Sequence, residues 1–261
     1  MDRHFRIELP VGEISAKTLV PNPAGSDGPW LVFLHEALGS IRLWRDVPER
    51  LVAATGLPAL VYERFGSGQS SALPKERTPS YLHEEALDIL PQVLECCGIE
   101  KCVLVGHSDG GTMALLFAAR YREKVVGVVC EAAHVFVEPE TLAGIRNTQD
   151  TFLETDLAAK LGRYHGPQTD ALFWAWQNIW LAPEFSDWNI EPELGHISAP
   201  VFVIQGEDDA FGTPAQVQAI KAGVAGPCRC WMVPNCGHEP HRQARERVLP
   251  EIGGFINALL G

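Results

Sequence analysis

Two short stretches of the chain, Leu31-Val32-Phe33-Leu34 and Val103-Leu104-Val105, are apolar at every position instead of at alternate ones. A strand that is apolar on both sides has to be covered on both sides, which restricts the chain to a sheet enclosed between two layers of helix. The two stretches lie within predicted strands Trp30 to His35 and Cys102 to His107. Further strands are predicted at Phe5 to Leu9, Ile14 to Val20, Ala59 to Glu63, Val125 to Glu131, Val201 to Gln205 and Arg229 to Val233. Helical patterns fall at about 42–54, 80–97, 110–121, 214–223 and 242–260. The expected fold class is α/β: a mostly parallel eight-stranded sheet with helices on both faces, led by an antiparallel hairpin. The chain's 261 residues, 46% apolar and 21% charged, suit one such domain with an elaboration.

The elaboration is the stretch 134–199, where no strand pattern occurs and Pro139, Pro167, Pro183 and Pro192 interrupt helical ones. An insertion of roughly 65 residues is too long for a plain crossover. It reads as a helical cap on a core made of 1–133 and 200–261. It carries Trp174, Trp176, Trp180 and Trp188, with Trp176 and Trp180 four apart on one helical face. Such a stripe packs the cap onto the body, and its rings can roof a pocket; Trp174, Trp176 and Trp180 are the candidates.

The strongest chemical signal is Gly106-His107-Ser108-Asp109-Gly110-Gly111, directly after one predicted strand and directly before a helix. Glycines two before and two after a serine allow a tight turn that lifts its hydroxyl out of the sheet, at a helix N-terminus that favours developing negative charge. A hydroxyl is a poor nucleophile until a base takes its proton. Among nine histidines, His238 has the right setting, in the polar loop Asn235-Cys236-Gly237-His238 after the last strand. A carboxylate must in turn orient the imidazole, and Gly206-Glu207-Asp208-Asp209 supplies three candidates.

The order Ser108, acid, His238 along the chain resembles the α/β-hydrolase superfamily, over essentially the whole length. The resemblance implies an acid three residues after a glycine, as in G-x-x-D followed by Pro, which selects Asp209 over Asp208. It also implies that the backbone N–H groups of Ala37 and Asp109 form the oxyanion hole. Glu63-Arg64-Phe65-Gly66-Ser67-Gly68-Gln69-Ser70 is similar to the superfamily's D-R-x-G-x-G-x-S segment, with Glu in place of Asp, and has a structural role by that likeness. The loop His35-Glu36-Ala37-Leu38-Gly39-Ser40 departs from the pattern, which has glycine where Glu36 stands. Glu36 either turns away into a hydrogen bond or contacts the substrate or a residue of the cap. Asp109 is expected to cap free N–H groups of its helix. His134, at the start of the cap, is a pocket candidate, and Glu131 is the reserve acid.

The implied activity is that of a serine esterase: acyl transfer to Ser108 and release by water, on a small to medium ester with a largely apolar or aromatic part. A carbon–carbon bond hydrolase of ring-cleavage products shares the fold, but the resemblance gives it Asn before the serine and a Gly-Pro-Gly oxyanion loop. A thioesterase acting on coenzyme A esters needs basic residues at the mouth, and the cap has only Arg146, Lys160 and Arg163, too few to favour it. A non-enzymatic binding module would have lost the triad.

Acidic residues exceed basic ones by 12, which disfavours nucleic acid and anionic lipid as partners. The N-terminus lacks a basic start with an apolar run, and no stretch reaches about 18 uninterrupted apolar residues, so a cytoplasmic location is expected and no membrane. The seven cysteines form no C-x-x-C pair and read as reduced thiols; Cys236 has no cationic neighbour in sequence to activate it. No cofactor fingerprint appears. A metal site is rejected because Pro240 breaks the helix that would align His238 with His241. The oligomeric state is left open.

Overall fold

The computed structural model describes residues 2–21 and 28–261. Eight strands form one sheet: β1 (Arg3–Leu9), β2 (Gly12–Leu19), β3 (Trp30–Leu34), β4 (Ala59–Tyr62), β5 (Cys102–His107), β6 (Val125–Glu131), β7 (Val201–Gly206) and β8 (Cys228–Val233). Their spatial order is β1-β2-β4-β3-β5-β6-β7-β8. β1 and β2 are an antiparallel hairpin and β2 also runs antiparallel to β4. The other neighbours, from β4 through β3, β5, β6 and β7 to β8, are parallel.

The apolar runs behave as two-sided strands must. Val32, Leu34 and Leu104 join one core, under a helical run at 81–96 (α2) and the helix Asp109–Arg120 (α3). Their chain neighbours Leu31, Phe33, Val103 and Val105 join the opposite core, under Val47–Thr55 (α1) and a C-terminal helix, Arg245–Leu259. Each such side chain, removed fully from water, contributes about 1.5–3 kcal/mol before the entropy of ordering it.

Between β6 and β7 the chain is helical, as the lack of strand patterns predicts: Pro139–Glu154 (α4), Leu157–His165 (α5) and Thr169–Trp180 (α6) are its longer helices. After β7 comes Pro214–Gly223 (α7), and Arg245–Leu259 is α8. The parallel strands all end at one edge of the sheet. The loops following β3, β5, β7 and β8 therefore converge there, which is where open α/β sheets bind their ligands. Among the described residues, no helix is long and apolar enough to cross a membrane.

Candidate active site

Ser108 is set by the turn between β5 and α3. Its φ is 54°, a region that side-chain-bearing residues rarely occupy. The flanking glycines are demanded by contact: a Cβ on Gly106 would lie 2.2 Å from the carbonyl oxygen of Gly110, and one on Gly110 would lie 1.9 Å from that of Leu34. The Ser108 N–H donates to Glu131 O at 2.8 Å, which ties the strained turn to β6.

His238 and Asp209 come from the loops after β8 and β7. These loops approach because Gly206 has no side chain; a Cβ there would meet Cys236 O at 2.1 Å. His238 Nε2 lies 3.0 Å from Ser108 Oγ, and Nδ1 lies 2.9 and 3.0 Å from the two carboxylate oxygens of Asp209. With Nδ1–H facing the carboxylate, the Nε2 lone pair is left to accept the serine proton, the geometry an activated hydroxyl needs. Asp209 Oδ1 also accepts from Phe211 N at 2.9 Å. Burial pushes the Asp209 carboxyl up, but the hydrogen bond and charge of His238 outweigh it and hold the group below its ordinary value. Asp208 is exposed and contributes its N–H to Cys236 O. Glu131 does not reach His238: its Oε2 accepts from His241 Nδ1 at 2.7 Å and His241 N at 3.1 Å.

The loop after β3 is oriented through one carbonyl. Glu36 O accepts from His35 Nδ1 at 2.6 Å, Arg64 Nη2 at 2.9 Å and Gly39 N at 3.1 Å. Because a trans peptide points its C=O and N–H in opposite directions, fixing that carbonyl fixes the N–H of Ala37 away from it. His35 Nε2 accepts from Arg64 N at 3.0 Å, so the ring is a neutral spacer; burial first, then Arg64, lowers its pKa to about 3. Glu63 braces the same region, its Oε1 accepting from Ile41 N and its Oε2 from Gln69 N.

Asp109 differs from the expectation of a capping role. Its Oδ2 lies 3.3 Å from both Arg64 Nη1 and Nη2 and accepts from the Tyr81 hydroxyl at 3.0 Å. A buried guanidinium offers an ion pair where helix N–H groups offer only partial charge, and the carboxylate follows the stronger partner. Glu36 makes the side-chain contact expected of it, Oε2 lying 3.4 Å from His107 Nδ1, and the residue also lines the cavity beside Ser108.

That cavity, of about 130 Å³, is lined by Glu36, Ala37, Leu38, Ser108, Asp109, His134, Thr141, Ile145, Thr148, Trp176, Trp180, Phe211 and His238. His134 is held by Thr112 through both its backbone N–H and carbonyl, and its Nε2 donates to Phe211 O at 2.8 Å. Trp174 does not join Trp176 and Trp180. Two residues along a helix is about half a turn, so Trp174 faces an outer groove beside Leu73 and Ala171 and packs edge-on against Phe173. A larger hollow of about 550 Å³, near Val11 and Ile89, contains none of the candidate catalytic or pocket residues. The sequence reading missed Thr141, Ile145 and Thr148, although their i, i+4, i+7 spacing is a helical stripe. It also missed Phe211, Tyr81 and the His107–Glu36 contact, which have no local signature. Among the described residues, no group of three or more His, Cys, Asp or Glu is arranged to hold a metal ion.

Comparison with known proteins gives the same family. The chain is 31% identical over 128 residues, 49% of this chain and 46% of the relative, to a 2-succinyl-6-hydroxy-2,4-cyclohexadiene-1-carboxylate synthase of Enterobacter sp. (strain 638), so that match spans about half the relative's length. It is 25% identical over 257 residues to the protein of the same name from Salmonella arizonae, covering 90% of this chain and 96% of that one. The fold is shared with carboxylesterase CesB of Bacillus subtilis, at a TM-score of 0.68 and 20% identity, over 98% of this chain and 92% of that one. Residues 29–189 match the family described as alpha/beta hydrolase fold, and with the sheet order above, the chain belongs to that family.

Proposed function

We propose that this protein is a serine hydrolase that cleaves carboxylic esters of small, largely apolar substrates through an acyl-enzyme on Ser108. His238 takes the hydroxyl proton, Asp209 holds the imidazole and stabilises its cation, and the N–H groups of Ala37 and Asp109 receive the oxyanion. Water then releases the acid, with His238 as base again. The inserted helices at 134–199 act as a cap that keeps bulk water from the acyl group. The observation that carries this reading is the Ser108–His238–Asp209 chain, at 3.0 and 2.9 Å, opening onto a cavity walled by Leu38, Ile145, Trp176, Trp180 and Phe211.

The relatives named 2-succinyl-6-hydroxy-2,4-cyclohexadiene-1-carboxylate synthase make, by that name, a product with two carboxylates. A ligand of that charge calls for cationic partners. No Lys or Arg is among the residues lining this cavity, and Glu36 adds an acid to it. The lining therefore favours a neutral ester over such a product.

The test is hydrolysis of p-nitrophenyl esters from acetate to long chains, plus the benzoate, by wild type and Ser108→Ala. Serine-dependent turnover should fall by about three orders of magnitude or more in the variant, at unchanged circular dichroism. Retained activity would end the nucleophile assignment. No turnover in a protein whose Ser108 still labels with a fluorophosphonate would move the reaction to a carbon–carbon bond or a thioester.

A further inference from the structure

The contact between Glu36 and His107 has a definite proton count. His107 Nε2 lies 2.7 Å from the carbonyl oxygen of His238, which only accepts, so Nε2 carries a hydrogen. Nδ1 faces Glu36 Oε2 at 3.4 Å. A neutral ring in that tautomer would set a lone pair against a carboxylate, so the two groups hold one proton between them. Burial opposes charge on both, yet their interaction takes the Glu36 carboxyl well below its ordinary range and raises His107 to about 9, which puts the proton on the imidazole.

Glu36 is then a carboxylate with capacity to spare. Beyond His107 the carboxylate has only Glu36's own backbone N–H as a donor among the described residues, and the side chain is 26% exposed at the cavity. Of the other polar side chains there, Thr141 Oγ1 donates to Phe211 O, Thr148 Oγ1 donates to Gly144 O, Asp109 is held by Arg64 and Tyr81, and His134 keeps a buried Nδ1 without a partner among the described residues, a neutral acceptor beside the charged one. A ligand donor that reaches this carboxylate and shields it from water gains a charge-assisted hydrogen bond, which a methyl group in the same place cannot make. The peptide following Glu36 supplies the Ala37 N–H, so this acceptor stands one residue from the carbonyl under attack.

We propose that Glu36 selects the substrate, and that the site takes small esters bearing a hydroxyl or amino group within a few bonds of the scissile carbonyl. This rests on the ester-hydrolase reading and narrows it to a class.

The test compares methyl 3-hydroxybutyrate with methyl 3-methylbutyrate, which differ by a hydroxyl in place of a methyl group. The ratio of their kcat/KM values within each protein is read, so that a general loss cancels. Wild type should prefer the hydroxy ester by about tenfold or more, the effect of a hydrogen bond to a charged group. The ratio should fall to about one in Glu36→Leu, and the isosteric Glu36→Gln should lose at least about threefold of it, on the same principle. A wild-type ratio near one, or a preference that survives in both variants, overturns the proposal. If wild type cleaves neither ester, the p-nitrophenyl panel decides the ester reading separately, and Glu36 is judged by calorimetric binding of the same two esters to Ser108→Ala with and without Glu36→Leu. Tighter binding of the hydroxy ester that vanishes with Glu36→Leu supports the acceptor role; equal binding of the two esters overturns it.

Discussion

Two acids, Glu36 and Asp109, belong to the loops that present the oxyanion N–H groups in the proposed mechanism, where a free negative charge would oppose the one formed in the reaction. Each is managed by a different partner. Asp109 is drawn away by Arg64 and Tyr81, while Glu36 is balanced by His107, whose ring packs 5.1 Å from that of His238. The second arrangement has a pH signature. The fold moves His107 from an ordinary value of 6.5 up to about 9: burial lowers it, but Glu36 raises it by more. A raised value means that the folded state binds the proton more tightly, so this contribution is complete below about pH 6.5 and is lost as the pH rises through about 9. Urea denaturation should therefore show wild-type stability declining across that window by on the order of 1–3 kcal/mol. The decline should flatten in His107→Asn. An equal slope in the variant would assign the decline to other groups.

At the scale of elements, the helical run at 81–96 shows how one residue reshapes a helix and its neighbours repair it. Pro91 cannot donate to the carbonyl of Leu87, four residues back, and the turns at Glu85–Ile89 widen to π geometry. The Tyr121 hydroxyl, just past the end of α3, donates to that carbonyl at 3.1 Å. Tyr121→Phe should cost about 1 kcal/mol, read as a melting temperature lower by about 2–4 °C. A melting curve matching wild type would mean that water replaces the hydroxyl without loss. The same run begins at Tyr81, whose hydroxyl joins Asp109 to the indole of Trp180, so a widened helix is also a support of the site. Much of this level was legible in the sequence. β5 and β6 have the bounds read from their apolar runs, because a strand covered on both faces leaves a local mark. The Ser108 turn was legible for a similar reason, since its glycines answer contacts within a few residues. Partners 45 and 71 residues apart, such as Arg64 with Asp109 and Glu36 with His107, leave no such mark. Asp109 read as a helix cap because its Arg64 partner is set by the sheet order, which brings β4 and β5 to either side of β3.

For the molecule as a whole, the question is what sets the size of the space above Ser108. The inserted helices are latched to the body by polar contacts across long stretches of chain. His165 accepts from Gly68 N and donates to Leu38 O, both at 3.0 Å; Gln168 Nε2 donates to Ser70 O, and Arg42 Nη1 to Arg163 O. Trp180 is fixed by Tyr81 and by rings at Phe185 and Trp188. Trp176 lacks that hydrogen bond and packs edge-on against Phe173, so it is the ring whose removal opens the cavity with least damage to the latch. About 130 Å³ is close to the roughly 150 Å³ that admits a benzene ring, which limits the acyl group to a short chain. On the ester reading, wild type should favour acetyl to butyryl esters over octanoyl. Trp176→Leu should raise the octanoate-to-acetate ratio of kcat/KM by about 10-fold or more, since each methylene admitted to an apolar pocket is worth about 1–3 kcal/mol. Stability should fall less than the 3–5 kcal/mol typical of a fully buried Trp→Ala change, because a leucine remains and one side of the ring already borders the cavity. A length profile unchanged by the substitution would mean that long acyl chains leave by another route, and that Trp176 packs the helices without bounding the substrate.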